Sequence, residues 1–181
     1  LYNLVMSNGG SHDSGKQLKI DDFECFATEG AAAGILYVFN TLKENFILNP
    51  GDTIAIITPI FSPYLEIPKL SDYKLNIIEL KTNPAKNYTL DIEEINKLKN
   101  KKIKALFMVN PANPAGYSLS KDNIDEIGKI VNTERKDLIV LSDNVYAPFA
   151  DEYNSFMLSC PYNTIEVFSL SKYFGTTDPQ C

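Results

Sequence analysis

The six residues Thr53-Ile-Ala-Ile-Ile-Thr58 constrain the chain more than any others do. Four consecutive apolar residues, three of them isoleucine, suit a strand. They leave no polar position for a wet face, so this strand is expected to be covered on both sides. Comparable runs recur at residues 75–80, 103–109, 138–141 and 164–168, with a shorter one, Phe23-Glu-Cys-Phe-Ala27, ahead of them. Segments of helical character lie between. Residues 31–48 place Ile35, Phe39, Leu42 and Phe46 on one stripe before Asn49-Pro-Gly51 stops it. Pro59-Ile-Phe-Ser-Pro-Tyr64 leads into a short helix toward Leu70. Residues 90–98 are amphipathic, and Ser120 caps a helix that runs to about Val131. Strands alternating with helices predict an α/β fold of three αβα layers around a mainly parallel sheet. No internal repeat or low-complexity linker breaks the pattern, so residues 1–181 read as one domain.

Composition narrows the function classes. The 181 residues are 44% hydrophobic and 22% charged, which suits a soluble globular domain with a real core. A net charge of -6, with only the short lysine-rich stretch 97–104 against it, disfavours nucleic acid as the main partner. The longest run of apolar residues and glycine, residues 31–39, is too short to span a bilayer, and no signal peptide is visible. Cys25, Cys160 and Cys181 lack metal-ligand spacing, so no structural metal is expected and a reducing, cytoplasmic setting is. Gly10-Ser-His-Asp-Ser-Gly-Lys-Gln17 nearly spells a phosphate-binding P-loop, but Gln17 stands where a hydroxyl should bind magnesium. A polar surface loop, with the lone His12 facing solvent, is the better reading.

In parallel sheets ligands sit at the carboxyl ends of the strands, so the residues that follow each apolar run matter most. Thr28-Glu-Gly-Ala-Ala32 opens a helix with small residues around Gly30 and Ala31, where backbone amides can meet an anion. Phe61 follows the second run and could cover a planar ligand. Asn110-Pro-Ala-Asn-Pro-Ala-Gly116 fixes the backbone around Asn113. Asp143-Asn-Val-Tyr146 presents a carboxylate and a phenol three residues apart, and a carboxylate ending an apolar run is costly unless it meets a cation. The last run ends in Ser169-Leu-Ser-Lys172, whose two serines would share one strand face and whose lysine borders the core. An unprotonated lysine amine is the nucleophile of Schiff-base chemistry. Each feature alone has a plainer meaning: a tight turn, a core aromatic, a helix cap, a solvated lysine. Together they form the set that pyridoxal phosphate requires: an anion cradle, a ring cover, an amide, a carboxylate, a phenol, hydroxyls and an amine.

Asn113-Pro-Ala-Gly116, Asp143-Asn-Val-Tyr146 and Ser169-Leu-Ser-Lys172, in that order, resemble the large domain of the fold type I pyridoxal-phosphate enzymes, the aspartate aminotransferase superfamily. Residues 26–30, 58–64, 105–114 and 167–175 are similar to the aspartate 4-decarboxylase branch, which also transaminates aspartate. The resemblance implies that Lys172 bonds the cofactor aldehyde and moves protons, that Asp143 pairs with the pyridine nitrogen, and that Tyr146 and Asn113 meet the phenolic oxygen. It also implies that Ser169 and the backbone of Gly30 and Ala31 hold the phosphate, and that Phe61 lies over the ring. L-aspartate is the implied substrate, and a homo-oligomer the implied parent assembly. The family's phosphate and substrate arginines would lie later in the chain. The only arginine here is Arg135, expected to be a solvated charge at a helix end. The 181 residues are therefore expected to be a partial domain, without the N-terminal arm or small domain and a poor catalyst by themselves. Three other readings stand beside this one: an aminotransferase of other amino-acid specificity, a nucleotide-binding protein built on residues 10–16, and a non-catalytic remnant with the family's sheet.

Overall fold

A computed structural model of the chain describes residues 24–151 and 153–176. The near-P-loop of residues 10–17, His12 and Cys181 lie outside them. The strands are β1 (Thr53–Thr58), β2 (Asn76–Asn83), β3 (Thr89–Leu90), β4 (Ile103–Val109), β5 (Ile139–Asp143) and β6 (Thr164–Val167). The helices are α1 (Ala31–Glu44), α2 (Pro63–Glu66), α3 (Ile92–Asn96), α4 (Lys121–Thr133) and α5 (Leu170–Phe174). The six strands form one sheet in the order β3-β2-β1-β4-β5-β6, parallel except for the β2–β3 pair. The three-layer, mainly parallel α/β fold is as expected.

Strand alternation sorts the core into two layers. From β1, Ile54 and Ile56 join Phe107 of β4 and Leu141 of β5 beneath Ile35, Phe39 and Leu42 of α1. Ala55 and Ile57 point the other way, to Leu106, Met108 and Val140, under Ile124, Ile127 and Val131 of α4. β1 is thus buried on both faces, its four central residues all covered. Burying an isoleucine this fully contributes about 1.5–3 kcal/mol. Gly128 sets the approach of α4, because a Cβ there would meet Ser159 Oγ at 1.8 Å.

Three local expectations change. Residues 24–27 form no strand; all four are exposed, Phe26 at 85%, so no neighbouring chain pairs with them and no face is buried. α1 ends at Glu44, one turn early, where Asn45 closes it and Phe46 takes a positive φ of 57°. Phe46 is therefore exposed, and Leu48, whose amide bonds back to Leu42 O, takes the buried place expected of it. Leu90 belongs to a strand instead of the following helix. The Asn123 side chain holds its backbone extended, accepting from Leu90 N at 3.0 Å and donating to Leu90 O at 2.9 Å.

Arg135 is the largest correction. It follows the end of α4, as expected, but it is 1% exposed instead of solvated. Nη1 donates to Leu98 O and Asn100 O at 2.6 and 2.7 Å, and Nη2 to Ile103 O at 2.5 Å. Nε and Nη2 both reach Asp137, at 2.9 Å each. The flanking Glu134 and Lys136 suggested solvent, but five donors on a planar fork can saturate the carbonyls left open where a short helix meets a strand. Replacing Arg135 by methionine strips the Leu98 and Ile103 carbonyls of this buried donor and should cost about 1–3 kcal/mol for each. Urea unfolding would measure it, and a loss within half a kilocalorie per mole would show that the clamp carries little.

Candidate active site

The functional residues collect where the parallel strands end. β5 carries Asp143 to its last position, and Asn110 N donates to Asp143 O at 2.9 Å as β4 finishes beside it. The carboxylate is 3% exposed. Its Oδ2 accepts from Tyr64 Oη at 2.6 Å and its Oδ1 from Val145 N at 3.2 Å. Burial holds its pKa above the ordinary carboxyl value, while Tyr64, the Val145 amide and the positive charge of Lys172 oppose that rise. Lys172 is therefore close enough to act on Asp143, although it is exposed on α5 and not at the edge of the core.

Tyr64 was not foreseen. It is buried in the first turn of α2, three residues after Phe61, whose ring meets it edge-on with centroids 5.5 Å apart. Phe107 packs on its other side at 5.0 Å. Burial and the neighbouring Asp143 push its phenol far above the usual range, so it stays a donor. The signal was the i, i+3 spacing of Phe61 and Tyr64 at a helix start, which puts both rings on one side. Phe61 remains 44% exposed, its ring uncovered at the mouth of the site.

Asn113 and Tyr146, placed by the loops after β4 and β5, come together: Asn113 Nδ2 donates to Tyr146 Oη at 3.4 Å. Gly30 caps α1 with φ 144° and ψ 167°, a conformation that L side chains rarely adopt, and the first-turn amides of α1 have no partner within the helix. Gly34 brings this helix end close to β6, since a Cβ there would lie 3.4 Å from both Thr28 Oγ1 and Val167 Cγ1. Ser169 and Ser171 do face each other, at 2.7 Å, but for a different reason than strand alternation. β6 ends at Val167, and Ser169 is the N-cap of α5, accepting from Ser171 N at 3.2 Å. Among the described residues no cluster of His, Cys, Asp or Glu could hold a metal ion, and no helix is long and apolar enough to cross a membrane.

This donor set fits pyridoxal phosphate: a buried carboxylate, an amine that acts on it, a paired amide and phenol, and a glycine-opened helix end. The comparisons decide the family. Residues 12–178 match the model of aminotransferase class I and II. The chain belongs to that family. It is 40% identical over 157 residues to a bifunctional aspartate aminotransferase and L-aspartate beta-decarboxylase from Pseudomonas sp., covering 87% of this chain and 30% of that protein. An aspartate aminotransferase from Sulfurisphaera tokodaii is 29% identical over 141 residues, covering 78% of this chain and 34% of its own length. Cystalysin from Treponema denticola, whose crystal structure contains pyridoxal 5'-phosphate, superposes with a TM-score of 0.67 at 29% identity, over 82% of this chain and 38% of that one. The chain spans about a third of the length of these curated relatives. Family membership replaces the nucleotide-binding alternative.

The raised pKa of Asp143 makes a stability prediction. A carboxyl whose folded pKa is raised keeps its proton where the unfolded chain has released it. The stability this adds is complete below the ordinary carboxyl range and is lost as pH rises through the raised value. Asp143→Asn cannot ionise, so without cofactor its melting temperature relative to the parent's should rise as pH climbs above the ordinary carboxyl range. A margin independent of pH would mean that the buried charge costs the fold nothing.

Proposed function

We propose that this chain is the cofactor-binding large domain of a pyridoxal-phosphate enzyme acting on L-aspartate. Its reaction removes the β-carboxylate to leave L-alanine and carbon dioxide, with aspartate transamination as the related activity, in a homo-oligomeric parent. The observation that carries this reading is the buried Asp143 at the carboxyl end of β5, its Oδ2 held by Tyr64, with Lys172 on the helix that follows the adjoining strand β6. The relation to a bifunctional aspartate enzyme supports the choice of substrate and of decarboxylation.

Pyridoxal phosphate supplies an aldehyde that bonds amines and a ring that accepts electrons when its nitrogen is protonated. The chain's residues supply the rest. Asp143 presents an anion to the ring nitrogen from a site where water cannot compete, and Tyr64 and Val145 N fix its two oxygens. Tyr146 and Asn113 offer a hydroxyl and an amide toward the phenolic oxygen. Gly30 and Ala31 amides and the Ser169 hydroxyl hold the phosphate at the start of α1, where the helix dipole favours negative charge. Phe61, exposed at the mouth of the site, would lie over the ring. Lys172 would hold the cofactor through its aldehyde and would carry the proton at the substrate α-carbon. Both routes use all of these groups, so transamination and decarboxylation share one site.

Borohydride reduction of the full-length protein followed by peptide mapping should place a pyridoxyl group on Lys172. The same protein given L-aspartate should release carbon dioxide and alanine in equal amounts. A label on another lysine would sink the assignment, and oxaloacetate without alanine would reduce the activity to transamination alone.

Tyr64→Phe removes one hydrogen bond to Asp143 and leaves the ring packing. A bond to a charged group contributes about 1.5–3 kcal/mol, so turnover should fall roughly 10- to 100-fold if that bond is needed in the transition state. Steady-state kinetics would read it; an unchanged kcat would show Tyr64 to be packing only.

A further inference from the structure

A second carboxylate lies on the other face of the sheet from Asp143, and the reaction above does not use it. Ser142 and Glu166 are register partners on β5 and β6, while Asp143 pairs with Val167. Alternation therefore turns Ser142 and Glu166 away from the cofactor face. Glu166 Oε1 accepts from Ser155 Oγ at 2.8 Å, Phe156 N at 3.0 Å and Tyr153 Oη at 3.4 Å. Its Oε2 lies 2.9 Å from the same Ser155 hydroxyl, which itself accepts from Met157 N at 3.0 Å. These bonds tie β6 to residues 153–157 of the connection from β5.

Asn144 joins this layer to the active site. It is fully buried, and its Oδ1 accepts from Ser142 Oγ at 2.6 Å. Its Nδ2 makes no hydrogen bond, yet the amide stabilises the ionised form of Glu166. The unbonded donor thus sits on the residue that bonds Ser142, the register partner of Glu166. Asn144 also sets how β5 ends: its amide donates to Val167 O at 2.7 Å and its carbonyl accepts from Ala147 N at 3.0 Å.

We infer that Glu166 is a positioning residue for Asp143: through Asn144 and residues 153–157 it fixes the end of β5 and the direction in which the carboxylate is presented. The inference rests on the reading of Asp143 given above. The partners of Glu166 named here are all neutral donors, and an apolar residue in its place would leave the Ser155 hydroxyl and the Phe156 amide without this acceptor. Burial raises the Glu166 pKa against the pull of Ser155, Asn144 and two backbone amides. Its charge is felt by Tyr153, whose phenol burial pushes up, and by Cys160, whose thiol is pushed up to about 11, chiefly by burial.

The test uses the full-length holoenzyme. Glu166→Gln keeps the shape but sets an amide hydrogen against the donors of Asn144, Ser155 or Phe156. It should lower kcat about tenfold with KM within about twofold, and should move the pH midpoint of the cofactor's visible absorbance. Adding Asn144→Asp restores a donor facing an acceptor and should recover most of both losses, a coupling that a double-mutant cycle reads. Where Glu166→Gln fails to fold, Ser155→Ala removes one donor and should shift the same midpoint less. An unmoved midpoint with unchanged kcat, in either variant, overturns the inference, and so does simple additivity in the double variant. A parent protein without the visible band refutes the reading of the site itself, and this inference falls with it. A parent with the band and an unmoved Glu166→Gln refutes the inference alone.

Discussion

An anion kept from water at the end of a parallel sheet is the constraint around which the rest is arranged. Transferring a lone carboxylate into an apolar interior costs several kilocalories per mole even after relaxation, more than most single contacts return. Asp143 meets that cost through groups drawn from three directions. Tyr64 comes from the helix after β1, the Val145 amide from its own turn, and the charge of Lys172 from the helix after β6. The offset is incomplete, since the carboxyl still titrates above its ordinary range. A cationic ring nitrogen placed against Asp143 would complete it, so the binding of such a group and the stability of the fold are linked through one carboxylate.

The two ends of the sheet treat buried charge differently. At the amino end Arg135 spends its guanidinium on three carbonyls and an aspartate, and nothing is left over for a ligand. That end is closed and serves the fold. At the carboxyl end a buried donor, Asn144 Nδ2, is left without a hydrogen bond. Saturation at one end and deficit at the other follow from the geometry of parallel strands, which bring loops and helix starts together only at their carboxyl ends.

The fold was legible because its strands are nearly continuous apolar runs, and β1 and β4 occur where those runs begin and end. Errors fell where a side chain overrules local pattern. Asn123 holds Leu90 extended in what reads as helix, and Phe46 leaves the stripe because Asn45 closes α1 first. Arg135 was misread for a related reason: charged neighbours in sequence say little about carbonyls thirty residues away. Asp143, Tyr146 and Asn113 could be singled out from sequence because each stands within five residues of the end of an apolar run. Tyr64 could not, because its role depends on a contact with a residue 79 positions later.

Polarity rises abruptly over the last two residues of β5 and within β6. Val140 and Leu141 give way to Ser142, Asp143 and Asn144, and Glu166 interrupts Ile165 and Val167. A sequence chosen for stability alone would continue the apolar run, since each of these positions is wholly or partly buried. Departures from the local rule that cluster at one place, and that bond to one another, mark where stability has been given up for a function. Ser142 bonds Asn144 and stands beside Glu166 in register, and the Asn144 backbone holds the strand end that carries Asp143. The polar layer on one face of the sheet and the carboxylate on the other are therefore one construction, with the backbone of β5 as the part they share.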